Sequence, residues 1–223
     1  MLSKASPQWS IFEKVRIQLT EFSDYIQDPV LDIGCGTKPF RNFFQGKAKN
    51  YFGLDIFSEI KRPNELERQN QIDVFGDCIN LPVKSSHIGT VFSSFVIEHV
   101  FEFNQLFSEI YRVLKNDSYF ILISPLMSVI HEKPYDYFRF TKYSLEHIAG
   151  RYGFKNVHIK AIGGEVLFWG HRVSVHIHKL NKSGKANRFI EALAYMLQNA
   201  TLGLDNKIQT GNFVCNYLSV FRK

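Results

Sequence analysis

Apolar residues recur along the chain in two rhythms. Over residues 7–27, Trp9, Phe12, Ile17, Leu19, Phe22 and Ile26 fall at roughly helical spacing. Residues 102–114 keep that rhythm more strictly, with Phe103, Leu106, Phe107, Ile110, Val113 and Leu114 on one face. Another helix is predicted over 144–152, closed by Gly153, which suits the left-handed turn at a helix C-terminus. A shorter helix is expected over 39–45, and the polar stretch 61–71 reads as a loop plus part of a helix.

The second rhythm is the short apolar run of a buried strand, bounded by turn residues. Residues 30–33, 51–55, 72–75, 90–95, 119–123, 157–162 and 213–221 fit it, with a turn at Asn116-Asp117. Strands alternating with helices predict an α/β fold around a mostly parallel sheet. In open sheets of that kind ligands sit beyond the carboxyl ends of the strands. Those ends carry Gly34-Cys35-Gly36, Asp55, Asp77, Phe95 and the loop after Pro125.

Composition narrows the class without naming a function. The chain is 45% hydrophobic and 22% charged over 223 residues, which supports a packed core and excludes disorder or a collagen-like fibre. We read 1–223 as one domain, with an N-terminal helical segment over 1–28 and a helical insertion or lid over 163–211. Cys35, Cys78 and Cys215 are odd in number and widely spaced, so a reducing cytoplasmic setting is expected rather than a disulfide framework. The net charge of +6 comes without a Lys/Arg run, so no nucleic-acid partner is expected. Neither a signal-peptide apolar region nor a membrane-spanning apolar stretch is visible.

The strand ends then suggest a ligand. Glycines at a strand-to-helix turn let backbone approach a ligand closely, although a Gly-x-Gly alone can be only a tight turn. Asp55 closes the next strand, where a carboxylate can accept both hydroxyls of a ribose. Asp77 follows the third strand, where it can meet an adenine amino group. A dinucleotide fingerprint wants a third glycine, but the stretch here is Thr37-Lys38-Pro39-Phe40. Asp32, just before the turn, would repel a pyrophosphate and welcome an ammonium. S-adenosyl-L-methionine, with adenosine and ammonium but no phosphate, fits this set better than NAD.

These segments resemble class I S-adenosylmethionine-dependent methyltransferases, of the small-molecule "type 11"-like group. Val30-Leu31-Asp32-Ile33-Gly34-Cys35-Gly36-Thr37 is similar to their glycine motif, and Gly53-Leu54-Asp55 to the second motif. Gly76-Asp77 with Leu81-Pro82 is similar to the third, and Phe95-Val96-Ile97-Glu98-His99-Val100 to the fourth. Glu109-Ile110-Tyr111-Arg112-Val113-Leu114-Lys115 resembles the helix leading into the fifth strand. The resemblance implies a Rossmann-like seven-stranded sheet, mostly parallel, with 213–221 as the one antiparallel strand. It places Asp32, Gly34, Cys35 and Gly36 at the methionine part of the cofactor, Asp55 at the ribose, Asp77 at the adenine edge and Phe95 in the pocket lining. Two departures stand out: many members carry a glycine where Lys38 stands, and an Asp near Gly89.

Weaker signals bear on the acceptor. Glu98-His99 reads either as an acid–base pair or as a helix-orienting pair. The loop His131-Glu132-Lys133-Pro134-Tyr135-Asp136-Tyr137-Phe138-Arg139-Phe140-Thr141 resembles a pattern in methyltransferase-like proteins of bacterial glycan or lipid-linked pathways. His131, Asp136 and His99 are candidate bases; Tyr135, Tyr137 and Arg139 are candidate acceptor contacts, with Arg139 alternatively bound to Asp136 or a backbone carbonyl. His171, His176 and His178 lack a recognisable third ligand pattern, so no metal site is expected. The 163–211 insertion is open between core packing, a substrate lid, a homodimer contact and a peripheral membrane contact. The expected activity is methyl transfer to a small-molecule or glycan/lipid-linked acceptor. The alternatives are an inactive binding protein of the same fold, or an NAD or nucleotide-sugar oxidoreductase.

Overall fold

The computed structural model describes residues 6, 8–57, 65–181, 188–208 and 213–223. Residues 1–5, Pro7, 58–64, 182–187 and 209–212 lie outside that set, so only 65–71 of the expected loop and helix over 61–71 is described. The chain divides into two compact units, one of Phe22–Lys160 with Tyr217–Lys223, the other of Met1–Glu21 with Ala161–Asn216.

The larger unit is built on a seven-stranded sheet in the order β3-β2-β1-β4-β5-β7-β6. Its strands are β1 (Val30–Ile33), β2 (Tyr51–Asp55), β3 (Val74–Phe75), β4 (Ile88–Ser94), β5 (Leu114–Pro125), β6 (Lys155–Ile162) and β7 (Asn216–Arg222). β1 is parallel to both β2 and β4, which makes it the switch point of the sheet, and β3 and β5 continue the parallel set. β7 runs the other way: the Lys223 amide donates to Ser118 O at 3.0 Å, and the Asp117 amide to Lys223 O at 3.2 Å. The end of β7 thus meets the beginning of β5, as expected for the final antiparallel strand.

Four residues of β1 are all buried, which is why this run carries no polar alternation. Helices α2 (Arg41–Gln45), α3 (Glu65–Gln71), α4 (Phe103–Val113) and α5 (Lys142–Arg151) connect the strands. α4 buries Leu106, Phe107, Ile110 and Val113, the stripe visible in the sequence. Thr141 caps α5 by accepting the Ser144 amide at 3.3 Å.

Some boundaries differ from the pattern. β5 begins at Leu114 and so absorbs the Asn116-Asp117 turn, which survives as a kink with Asp117 at φ 61°. β4 ends at Ser94 because Phe95 turns to φ 57°. Gly89 lies inside β4, where a Cβ would stand 2.6 Å from Asp28 O; it marks a close backbone approach.

The smaller unit consists of α1 (Trp9–Thr20), α6 (Glu165–Asn181) and α7 (Arg188–Asp205). The helical rhythm over 7–27 breaks after Thr20, and a short 3-10 turn follows at Ser23–Tyr25. Gly170 lets α6 and α7 touch: a Cβ there would meet Thr201 Cγ2 at 2.3 Å. Buried Lys14 pairs with buried Asp205 at 3.1 Å, and the other Asp205 oxygen accepts the Gly164 and Leu167 amides at the start of α6. No helix among the described residues is long and apolar enough to cross a membrane.

Candidate functional site

The β1 turn is a cradle of backbone. Gly34 and Gly36 have φ of 69° and 51°, values that glycine adopts without strain. Gly34 has no room for a side chain, since a Cβ would stand 2.2 Å from Val96 Cγ2. The Gly36 position is open, and its amide donates to Asp55 Oδ2 at 2.9 Å. Lys38 itself has φ 52°, so this residue adopts the conformation that glycine would take more easily. Its ammonium pairs with Asp73 at 2.5 Å, with the Lys38 side chain almost fully buried.

Asp32 lies beneath the turn and is 1% exposed. Tyr51 donates its hydroxyl to one carboxylate oxygen, while Oδ1 has no hydrogen-bond partner among the described residues. Burial pushes this carboxyl up to about 7, opposed by the Tyr51 hydrogen bond and helped by the nearby Asp55 charge. A buried acid with an unused acceptor beside a glycine turn suits a ligand ammonium.

Asp55 is where the strand pattern places it, but it is engaged. Oδ2 also forms an ion pair with Arg68 of α3 at 2.8 Å, and Oδ1 accepts the Ile56 amide. The sequence reading missed Arg68 because α3 is polar and lies next to residues with no apolar rhythm. Asp77 is exposed and closes a turn, accepting the Ile79 amide at 3.1 Å. Beside these acids, Ile56, Phe57 and Phe75 are exposed, with the two rings 6.0 Å apart edge to face. They too were missed, since an aromatic in or after a strand reads as core.

The other end of the site lies beyond β4 and β5. Glu98, in a 3-10 turn after β4, is fully buried, and neither carboxylate oxygen has a hydrogen-bond partner among the described residues. Burial raises its carboxyl to about 8, opposed by its own backbone amide and by Arg139. His99 Nδ1 lies 2.7 Å from Tyr135 O, and His131 Nδ1 lies 3.0 Å from Val129 O. Carbonyls only accept, so both Nδ1 atoms carry a proton, and in the neutral ring each Nε2 then presents a lone pair. Those Nε2 atoms are 3.1 Å apart. Burial also lowers the pKa of His99, which favours the neutral ring.

The 131–141 loop is held by an ion pair of its own. Arg139 forks onto Asp136 at 2.5 and 2.8 Å and donates to the carbonyls of Phe138 and Val129. Asp136 also accepts the His131 amide at 2.9 Å. The Arg139 guanidinium holds the Asp136 carboxyl well below the usual carboxylate range. Asp136 is therefore a poor proton acceptor, and Arg139 takes the partner that the sequence offered as its alternative. Tyr135 and Tyr137 are exposed, and Tyr137 packs edge to face on exposed Phe101 at 5.3 Å. Phe95 is half-buried at the end of β4. His171, His176 and His178 all lie on α6, where residues two apart point to different faces. His176 and His178 each turn Nδ1 back to a carbonyl of their own helix.

The switch-point glycine turn, the acids on successive strand ends and the seven-stranded order define an α/β fold of the Rossmann-like methyltransferase type. Residues 31–122 match the model of the methyltransferase domain family, a match over less than half of the chain. The cofactor that goes with the family, S-adenosyl-L-methionine, fits the Asp32 acceptor and the glycine cradle. Among relatives, a malonyl-[acyl-carrier protein] O-methyltransferase from Hamiltonella defensa is 24% identical over 124 residues, covering 55% of this chain and 48% of that protein. The chain thus spans about half the length of that curated relative. A SAM-dependent methyltransferase from Archaeoglobus fulgidus has the same fold, with a TM-score of 0.60 at 20% identity over 95% of this chain and 94% of that one. A Haemonchus contortus phosphoethanolamine N-methyltransferase, solved with S-adenosylhomocysteine, has a TM-score of 0.57 at 16% identity over 92% of this chain and 51% of that one.

Proposed function

We propose that this chain is an S-adenosylmethionine-dependent O-methyltransferase whose acceptor carries a hydroxyl next to an apolar portion. The carrying observation is the Glu98–His99–His131 cluster, three acceptor groups gathered at the acceptor end of a methyltransferase fold. Exposed Phe101, Val129, Ile130, Tyr135 and Tyr137 on the neighbouring segments favour an acceptor with hydrocarbon to cover, such as a lipid-linked glycan.

When bound, the cofactor supplies a methyl group made electrophilic by its sulfonium. Asp32, with the amides of the glycine turn, would hold the ammonium end. Asp55 would take the ribose hydroxyls, and Phe57 and Phe75 would cover the adenine faces, with Asp77 at its edge. Phe95 would line the pocket. His99 and His131 present lone pairs toward one point, where the acceptor hydroxyl would be oriented. Asp136 and Arg139 act as positioning residues that fix His131 through its amide. Most of the rate advantage then comes from alignment.

Calorimetry with S-adenosylhomocysteine and with NAD tests the cofactor, and transfer of labelled methyl from S-adenosylmethionine to hydroxylated lipid-linked glycans tests the acceptor. Binding of S-adenosylhomocysteine with alkali-stable label is expected. Tight NAD binding with no S-adenosylhomocysteine heat would overturn the reading.

A further inference from the structure

Glu98, His99 and His131 present a geometric problem that hydrogen bonds do not solve. Three acceptor atoms face one another: Glu98 Oε1, His99 Nε2 and His131 Nε2. Glu98 Oε1 is 3.8 Å from His99 Nε2 and 4.0 Å from His131 Nε2. Those gaps are too long for hydrogen bonds, so even a protonated Glu98 would not reach either ring. A proton shared between the two imidazoles would fit their 3.1 Å gap but leave the buried carboxylate with nothing. Burying an unpartnered carboxylate is costly, so its surroundings call for a cation.

We propose that these three side chains bind one divalent transition-metal ion. A triangle with sides of 3.1, 3.8 and 4.0 Å has its centre about 2.1 Å from every corner. That is the bond length of zinc to histidine nitrogen and carboxylate oxygen. The rings point there as well. With each Nε2 lone pair aimed at that centre, the ring centroids would stand about 4.8 Å apart, and they are 4.7 Å apart. The outer shell is in place: each Nδ1 is bound to a backbone carbonyl, Tyr135 O for His99 and Val129 O for His131. Such contacts fix the tautomer that leaves Nε2 free to ligate.

The donor set also indicates the kind of ion. Two imidazoles and one carboxylate suit zinc, cobalt, iron or manganese better than the all-oxygen preference of magnesium or calcium. Three protein ligands leave at least one coordination position open, as in catalytic sites. His131 and His99 are partly exposed, with side-chain exposures of 37% and 17%, so the open position faces solvent. An acceptor hydroxyl fits that position. The ion would lower the hydroxyl pKa so that its proton leaves to solvent water, and the oxygen lone pair then forms the C–O bond as the C–S bond to the sulfonium breaks. This part rests on the methyl-transfer reading, whereas metal binding does not.

The test uses untagged full-length protein, stripped with chelator and titrated with zinc chloride or cobalt chloride by calorimetry and visible spectroscopy. One ion per chain is expected, with cobalt giving a d–d band and no thiolate charge-transfer band from the cysteines. Glu98→Gln and His131→Ala should each weaken binding about 100-fold or more, since even outer-shell losses cost 10–100-fold. His131 is exposed enough for its variant to fold, and calorimetry with S-adenosylhomocysteine on the same samples reports the cofactor site separately. No binding of either ion, or binding unchanged in both variants, overturns the proposal. If S-adenosylhomocysteine still binds in that case, the methyltransferase reading stands without the metal.

Discussion

The side chain of Lys38 lies directly across Gly53. A Cβ on residue 53 would stand 2.2 Å from Lys38 Cε and 2.7 Å from Cys35 Sγ. Asp73 completes the arrangement: one oxygen accepts the Lys38 ammonium, and also the Gly53 amide at 2.7 Å. The glycine of the second strand, the lysine of the turn and an acid before the third strand thus pack together against the glycine turn.

Gly53→Ala should therefore act through Lys38. Overpacking of this kind costs about 1–3 kcal/mol, read as a lower melting temperature, and S-adenosylhomocysteine affinity should fall with it. Shortening the lysine in Gly53→Ala/Lys38→Ala makes room for the methyl, so the double variant should lose less stability than the two single losses added together. Strict additivity in a double-mutant cycle would show that the two positions do not communicate.

Arg139→Ala should destabilise the protein rather than merely slow it. The Asp136 carboxylate is 2% exposed and would lose its forked partner. Removing one member of a buried pair costs about 3–5 kcal/mol; Arg139 is 23% exposed, so the lower end applies. A fall in melting temperature of about 6 °C or more is expected for a domain of this size. An unchanged melt with lost turnover would instead return Arg139 to a direct role on the acceptor.

Phe57→Ala and Phe75→Ala test the adenine end. Both rings are exposed, so neither truncation should move the melting temperature much. Each should weaken S-adenosylhomocysteine binding by about 0.5–1.5 kcal/mol, the worth of an aromatic contact. Equal affinity in both variants would place the adenine elsewhere.

The sheet was legible because its strands are short apolar runs that end in Gly or Asp, and β1 buries all four residues. The placement of the glycine turn and its acids was legible for the same reason, since Gly34, Gly36, Asp32 and Asp55 lie at or next to strand ends whatever their partners. What those acids touch was not. The Asp55–Arg68 pair joins residues thirteen apart through tertiary packing, and α3 has no apolar stripe to announce a contact. His131 stands 32 residues after His99, and it meets Glu98 and His99 because β4 and β5 lie side by side. His171, His176 and His178 stand on one helix, α6, where residues two apart point to different faces.

Asp32 supports a prediction in which stability and binding move in opposite directions. Its folded carboxyl is raised to about 7, chiefly by burial, against about 3.9 in an unfolded chain. Between those values the folded state holds a proton that the unfolded state has lost, so the free protein loses stability as pH rises from about 4 to 7 and levels off above. A ligand ammonium needs the ionised form. S-adenosylhomocysteine binding should therefore tighten as pH rises toward 7, by up to about tenfold per unit, with proton release on binding. Asp32→Asn keeps an oxygen for the Tyr51 hydroxyl and removes the buried charge. It should raise the melting temperature of the ligand-free protein at pH 8 while sharply weakening S-adenosylhomocysteine and flattening the pH dependence that remains. A destabilising site retained for binding is a familiar trade-off. Calorimetry in buffers of different ionisation enthalpy measures the released proton directly, and a pH-independent affinity between 5.5 and 7 would show that Asp32 is not the ammonium's partner.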